Sequence, residues 1–184
     1  MPKDQSRQLL YNGAQVSTDE QSTLSVKLQR IVEELLEQCR GLPLALSIIG
    51  ATLIGTRAEQ DWQDTLDELK SANLQQLSIK SEEDLLHGEY QYTNVSAAID
   101  VSLKRLSQKK PEYEEKFFDL AIFPEDTDIP SDILELFWSS ENIPGRNSCS
   151  AKETRDILRL LEKKSLLQKG QDFTIQKELI YYIV

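Results

Sequence analysis

Histidine and cysteine are scarce in this sequence, which has one histidine and two cysteines. Any Ser-His-Asp or Cys-His catalysis would have to use His87, and a metal site built from several histidines is excluded. His87 lies in a polar stretch just before a glycine, which is typical of a surface position near a helix end. Cys39 and Cys149 are far apart and form no CxxC motif, so they indicate a reducing compartment rather than a disulfide framework.

Long hydrophobic runs are also missing, and none approaches the roughly 20 residues that a membrane-spanning helix needs. The first residues, MPKDQ, place no apolar segment behind a basic one, so we expect no signal peptide and a cytoplasmic protein. Acidic residues outnumber basic ones by 31 to 21, giving a net charge of −10. Such a chain repels phosphate backbones, so neither a membrane nor a nucleic acid is expected as a partner of the whole chain.

What the sequence does contain is an ordinary globular composition. Of its 184 residues, 39% are hydrophobic and 28% are charged. This length is enough for one ample domain or two small ones, each able to bury its own core.

Helical periodicity dominates the first half of the chain. Apolar residues recur at spacings of three and four between Leu24 and Cys39, which predicts one amphipathic helix. Residues 17–19, Ser-Thr-Asp, supply start signals ahead of this helix, and Gly41 supplies a stop. The polar, weakly periodic residues 73–93 predict a loop or short irregular helices.

A segment that is apolar nearly all round predicts the central helix of a bundle. Residues 44–53 have this pattern, and Pro43 suits the first helical turn, where its missing N–H group costs nothing. Two further helices follow, and Asn94 is placed to cap the second. The inner faces of these two helices comprise Trp62, Leu66, Leu69, Val95, Ile99, Leu103 and Leu106.

The charged residues 108–111, which end in a proline, are the best candidate for a domain boundary. They divide the chain into a helical domain, residues 1–108, and a second domain, residues 109–184. Three helices are expected in the second domain, before two short apolar runs that predict a β-hairpin across residues 166–175. Three helices followed by a hairpin is the winged-helix order. The fold class is therefore mainly α, a helical bundle followed by a winged-helix domain with a short β-hairpin.

Large aromatic side chains at helical spacings are predicted to be core rather than stacking platforms. They are Trp62, Phe117, Phe118 and Trp138. The FPED sequence at residues 123–126 predicts a turn whose acidic pair caps the following segment. The last residues, 179–184, resemble a helix that is still apolar where the chain stops, which predicts a fragment that packs on a partner.

Four blocks of sequence occur in the order that one family has them. The first is RGLPLAL at residues 40–46, with an apolar helix before it and Trp62 after it. The others are VSAAIDVSL at residues 95–103, FFDLAIFPED at residues 117–126 and KKSLL at residues 163–167. Together they resemble the NB-ARC proteins, the switch ATPases of the apoptotic protease-activating factor and of plant intracellular disease-resistance receptors. A GLPL match alone is weakly specific, whereas four ordered blocks over about residues 5–184 are specific.

In similar proteins a phosphate-binding loop and an acidic strand precede this region, but no GxxxxGK[ST] motif occurs here. Without backbone N–H groups to cradle phosphates and a carboxylate for Mg²⁺, the chain lacks the groups for phosphoryl transfer. We therefore expect no catalytic residue, no metal bound by this chain alone, and no enzymatic activity outside a larger ATPase module.

The resemblance implies that the GLPL turn contacts ADP or ATP in the context of the full protein. Pro43 would pack on the adenine and ribose, with Gly41, Leu42 and Leu44 beside it. A proline ring at a helix start is a rigid apolar plate, and it brings the helix N–H dipoles near a ligand. By position alone, Pro43 is simply a helix-initiating proline.

The resemblance also implies a phosphate contact near the end of the chain. Similar proteins carry Met-His-Asp or Leu-His-Asp there, whereas this sequence has Gln176-Lys177-Glu178. Lys177 would donate to a phosphate as a point charge, without the geometry of an imidazole. Taken alone, Lys177 is a solvated surface residue.

As a function, the resemblance implies the regulatory part of an oligomerising switch in apoptosis or innate immunity. ADP would hold this region against a nucleotide-binding core, and exchange for ATP would release the winged helix and expose an assembly surface. The implied partners are that core and further copies of the protein, in an apoptosome-like or resistosome-like assembly. The alternative is a winged-helix DNA-binding regulator, because the helix at residues 151–164 is locally basic.

Overall fold

The computed structural model describes residues 1–79, 90–124, 127–139, 148–169, 173–174 and 182. The chain divides into two compact units, Met1–Arg105 and Leu106–Val184. This division falls inside a helix, upstream of residues 108–111, where the sequence analysis places the domain boundary.

The first unit is helical. Its elements are α1 (Lys3–Gly13), α2 (Thr18–Thr23), α3 (Val26–Cys39), α4 (Pro43–Thr52), α5 (Glu59–Ile79) and α6 (Tyr90–Lys109), which continues past the unit boundary. Helix α1 was not predicted, because it begins without a side-chain cap and buries only Ser6, Leu10 and Tyr11.

The single helix predicted to run from Leu24 begins at a different residue, because the structure has two separate helices here. Ser17 and Glu20 form a capping box that begins the separate short helix α2. The backbone is then extended at Leu24, and Ser25 caps α3 by accepting a hydrogen bond from the Leu28 N–H group at 3.1 Å. Two caps so close in sequence start two helices, because each satisfies the free N–H groups of its own first turn.

Helix α4 is the buried centre of the first unit, as predicted. Seven of its ten residues are buried, including Leu46, Ile48 and Ile49. Helix α1 crosses it at a contact between two glycines, where an added Cβ on Gly13 would lie 3.1 Å from the Gly50 Cα atom. Backbones approach this closely only where neither residue has a side chain.

The prediction of a loop or short irregular helices across residues 73–93 is wrong at both described ends, since the long helix α5 runs to Ile79 and α6 begins at Tyr90. Asn94 therefore lies inside α6 and does not cap it. Asn73 and Asn94 are polar but buried on the inner faces of these helices. A search for apolar periodicity therefore could not identify the helical turns that contain them. The predicted apolar inner faces of both helices are confirmed as buried. His87 lies outside the described residues.

The second unit combines helices with a small antiparallel sheet. Its elements are α7 (Glu112–Asp119), a 3₁₀ turn (Leu120–Ile122), β1 (Asp128–Ile129), α8 (Ser131–Ser139), α9 (Ala151–Lys163), β2 (Gln168–Lys169) and β3 (Phe173–Thr174). The strand order is β1-β3-β2, with Ile129 opposite Phe173 and Gln168 opposite Thr174. The predicted mainly α class with a short hairpin is confirmed. Strand β1 was missed, because two residues are too few to show alternation.

The aromatic core predictions hold for Trp62, Phe117 and Trp138, which are buried. They are wrong for Phe118, whose exposed fraction is 38%. Successive residues of a helix point about 100° apart, so turning Phe117 inward turns Phe118 outward. The Phe118 ring stacks on Tyr182 with 6.3 Å between ring centroids. The acidic pair at residues 125–126 and most of residues 179–184 lie outside the described residues.

Glu20 links the start of α2 to the segment before α5. The Arg57 Nε–H group donates to the Glu20 carboxylate at 3.0 Å, and the Ser17 backbone N–H group donates to it at 2.8 Å. The hydrogen bond from Arg57 first, and those from Ser17 next, lower the pKa of Glu20 from 4.5 to about 2.

Acid is therefore expected to weaken the first unit through Glu20. Because the pKa is lower in the folded state, the stabilisation is complete above about pH 4.5 and is lost as the pH falls towards about 2. Thermal unfolding measured across this range should show a falling midpoint, and Glu20→Gln should reduce the fall. An unchanged pH dependence in Glu20→Gln would contradict this assignment.

Candidate functional site

The GLPL residues form a tight turn between α3 and α4. Arg40 ends α3 in the left-handed region, with φ at 49°, and Gly41 follows with φ at 67°. Leu42 is extended, and Pro43 is the first residue of α4. Two backbone hydrogen bonds hold the turn, from the Arg40 N–H group to the Glu37 carbonyl at 3.2 Å and from the Leu42 N–H group to the Cys39 carbonyl at 3.0 Å.

Gly41 is favoured by its backbone conformation, and the space beside it is small. Its positive φ is one that residues with a Cβ atom rarely adopt. An added Cβ would also lie 3.2 Å from the backbone nitrogen of Met1. The glycine at this position therefore allows the chain to reverse between α3 and α4.

The surface of this turn has two features that suit a planar ligand with an anionic group. Pro43 is exposed, and Leu42 and Leu44 are half-buried, so an apolar plate faces outward. Helix α4 starts with no side-chain cap among the described residues, so the N–H groups of its first turn are open to a ligand there. The positive end of the helix dipole lies at the same place.

The structure brings Gly41, Leu42, Pro43 and Leu44 together in this turn, as their adjacency requires. The other residue assigned to the site, Lys177, lies outside the described residues. Its approach to this turn therefore stays a prediction.

Behind the turn lies a feature that sequence reasoning missed. The side chains of Gln38, Asn73 and Asn94, from helices α3, α5 and α6, form a hydrogen-bonded group that we call the amide cluster. It borders a cavity of about 340 Å³ that also reaches Arg40. The only signal in the sequence was Asn94, which was interpreted as a helix cap.

The second unit has a smaller cavity of about 190 Å³, lined in part by Lys116 and Cys149. The Lys116 ammonium lies 3.5 Å from a carboxylate oxygen of Asp119, and both side chains are buried. The same ammonium lies 5.8 Å from the centre of the Trp138 ring. Burial raises the pKa of the Cys149 thiol, and burial raises that of Cys39 to about 12. Neither thiol is therefore activated as a nucleophile.

The basic residues of α9 that suggested DNA binding are partly engaged with acidic neighbours. Arg155 donates to Glu135 at 2.7 Å, and Arg159 lies 3.5 Å from Asp156. The first pair links α9 to α8, and the second lies within α9.

The described residues contain no group of three or more histidine, cysteine, aspartate or glutamate side chains that could hold a metal ion. Within the same part of the chain, no helix has both the length and the apolar character to cross a bilayer.

No protein-family model matches the chain. Curated proteins do match it. A probable disease resistance protein of Arabidopsis thaliana is 28% identical over 151 residues, which cover 82% of this chain and 15% of the relative. Another from the same plant is 32% identical over 142 residues, which cover 77% of this chain and 15% of that relative. Apoptotic protease-activating factor 1 of Danio rerio is 27% identical over 157 residues, covering 85% and 10%. The chain thus spans between 10% and 15% of the length of these relatives.

Proposed function

Because this chain is a homologue of the NB-ARC proteins over most of its length, we propose that it is the regulatory part of a nucleotide-dependent switch. In this role it contacts ADP or ATP and controls the open and closed states of a larger protein. The names of the relatives support apoptosis or innate immunity as the setting.

The observation that carries this proposal is the exposed Pro43 ring at the uncapped start of α4. A purine ring packs well against such a plate, and its phosphates are attracted by the helix dipole. The tight turn at Arg40 and Gly41 fixes the position of the Pro43 ring before a ligand binds, which lowers the entropy cost of binding.

ADP acts in this scheme as the link between the turn and a nucleotide-binding core supplied by the rest of the protein. Exchange for ATP then favours release of the second unit, a winged helix, and assembly with further copies. Since the sequence has no GxxxxGK[ST] motif, ATP hydrolysis requires the core. Lys177 is proposed to approach the phosphates in place of the histidine of similar proteins.

Pro43→Ala in the longer protein is expected to weaken ADP retention by about 1 kcal/mol, or roughly fivefold. The reason is that one small ring buries limited apolar area against the base. The nucleotide that remains bound after purification is measured by chromatography, together with the rate of ADP release.

Pro111→Ala is the matched control, because Pro111 is also exposed and also lies at a helix start, as the residue just before α7. Equal retention in Pro43→Ala and Pro111→Ala would show that the turn is not the nucleotide contact. Lys177→Ala in the same assay tests the phosphate contact, and unchanged release would exclude it.

The DNA-binding alternative gains no support from the paired arginines of α9 or from the net charge of −10. A mobility-shift titration over salt separates the two functions. Phosphate contacts give binding that weakens steeply with salt, and we expect no such binding.

A further inference from the structure

The C-terminal end of helix α3 has carbonyl groups that the helix itself cannot satisfy. The turn accounts for two of them, since the Glu37 carbonyl accepts from Arg40 and the Cys39 carbonyl accepts from Leu42. The carbonyl between them, that of Gln38, receives no hydrogen bond from the turn. Its partner must come from elsewhere in the fold.

The Gln38 carbonyl is satisfied by the amide cluster. The Asn94 Nδ2 atom donates to it at 2.7 Å, and also to the Asn73 Oδ1 atom at 3.2 Å. The Asn73 Nδ2 atom donates to the Gln38 Oε1 atom at 2.9 Å and, more weakly, to the Gln38 carbonyl oxygen at 3.4 Å. Three helices are thus joined at one carbonyl group.

Burial makes these hydrogen bonds consequential. The exposed fractions of Asn73 and Asn94 are 7% and 6%, whereas Gln38 is half-buried beside the cavity of about 340 Å³. A partly buried carbonyl that loses its best-placed donor loses part of its stabilisation. The shortest hydrogen bond of the cluster, at 2.7 Å, joins the Asn94 side chain to the backbone carbonyl of Gln38.

The position of this carbonyl connects it to the turn. Only Cys39 and the residues of the turn itself separate Gln38 from Pro43. Cys39 is fully buried, which leaves little freedom between the satisfied carbonyl and the left-handed Arg40. Holding the Gln38 carbonyl therefore restrains the backbone that orients the Pro43 plate.

We propose that Asn94 is a positioning residue for the GLPL turn, acting through the Gln38 carbonyl. It touches no ligand itself. It caps the end of α3 from a different helix, and so keeps the turn in the one conformation that presents Pro43 at the surface. The consequence for nucleotide binding rests on the proposed function, whereas the restraint on the turn is a property of this chain alone.

Amide hydrogen exchange in the 184-residue chain, followed by NMR, tests the restraint directly. Asn94→Leu keeps the approximate size of the side chain and removes its donor. Exchange of the Arg40 and Leu42 amides, which hold the turn, is expected to become about tenfold faster. The Ala14 amide, bonded to the Leu10 carbonyl in the same unit, should change less than about twofold.

Two control variants sharpen the result. Asn12→Leu changes an exposed asparagine of α1 and should leave the turn unaffected. Gln38→Ala removes the acceptor for Asn73 but keeps the backbone carbonyl and Asn94, so it should accelerate the turn amides by about threefold or less. If Asn94→Leu does not fold, Asn94→Ala provides the same comparison, because alanine also lacks a donor.

Equal acceleration at Ala14, Arg40 and Leu42 would overturn the proposal, because Asn94 would then serve only general stability. Unchanged exchange at Arg40 and Leu42 would overturn it as well. Neither outcome depends on nucleotide. A failure of the proposed function appears instead in the Pro43→Ala retention assay, so the two failures are distinguishable.

Discussion

Asp119→Ala is expected to destabilise the second unit by about 1–3 kcal/mol. The substitution removes the carboxylate that lies 3.5 Å from the Lys116 ammonium, and the exposed fractions of the two side chains are only 2% and 3%. The Trp138 ring, 5.8 Å from the ammonium, offsets a small part of this loss. Urea unfolding followed by the indole N–H resonance of Trp138 measures the effect on this unit.

The chain contains a matched control for that experiment. Arg159 and Asp156 have the same spacing along a helix and the same 3.5 Å separation, but their exposed fractions are 68% and 57%. Asp156→Ala should cost less than about 0.5 kcal/mol, because water and salt screen the pair. Lys116→Met combined with Asp119→Leu should recover most of the stability, since it removes both buried charges. Equal effects of Asp119→Ala and Asp156→Ala would contradict the role of burial.

Gly50→Ala is expected to destabilise the first unit by about 1–3 kcal/mol. In an open helix this change would stabilise, because alanine is the better helix former by about 1 kcal/mol. Here the added Cβ would lie 2.7 Å from the Leu10 carbonyl oxygen and 3.0 Å from the Gly13 Cα atom. Both are backbone atoms of α1, so α1 and α4 must move apart. Because Pro43 is the first residue of α4, its position changes as well.

Thermal and urea unfolding of Gly50→Ala and Gly13→Ala test this explanation. The Gly13 Cβ would meet its nearest atoms at 3.1 and 3.3 Å, so the destabilisation should be smaller than for Gly50. Ser47→Ala, on the same helix, adds no atoms and serves as the control for helix propensity. A stabilised Gly50→Ala variant would show that the helices do not cross in this way.

Much of the fold followed from local patterns. The all-round apolarity of residues 44–53 identified the central helix, and Pro43 marked its first residue. The apolar runs on either side of a Gly-containing turn identified the hairpin that pairs β2 with β3. These features are set within one element, so the pattern of its own residues is enough to predict them.

The candidate site was predicted only in part. The GLPL turn could be found, because its residues are consecutive and resemble a family pattern. Lys177 and the acidic pair at residues 125–126 stay predictions. Phe118 was assigned to the wrong side of α7, because two adjacent aromatic residues give no indication of which one faces inward.

The sequence by itself therefore determined the helical class, the central helix, the hairpin and the position of the turn at Gly41. Tertiary structure decided what the polar residues do. Asn94 has the local character of a helix cap, yet it lies inside α6 and donates to the Gln38 carbonyl of α3. The physical reason is that periodicity reports which face of one helix is apolar, whereas a hydrogen bond between helices depends on the register in which they pack.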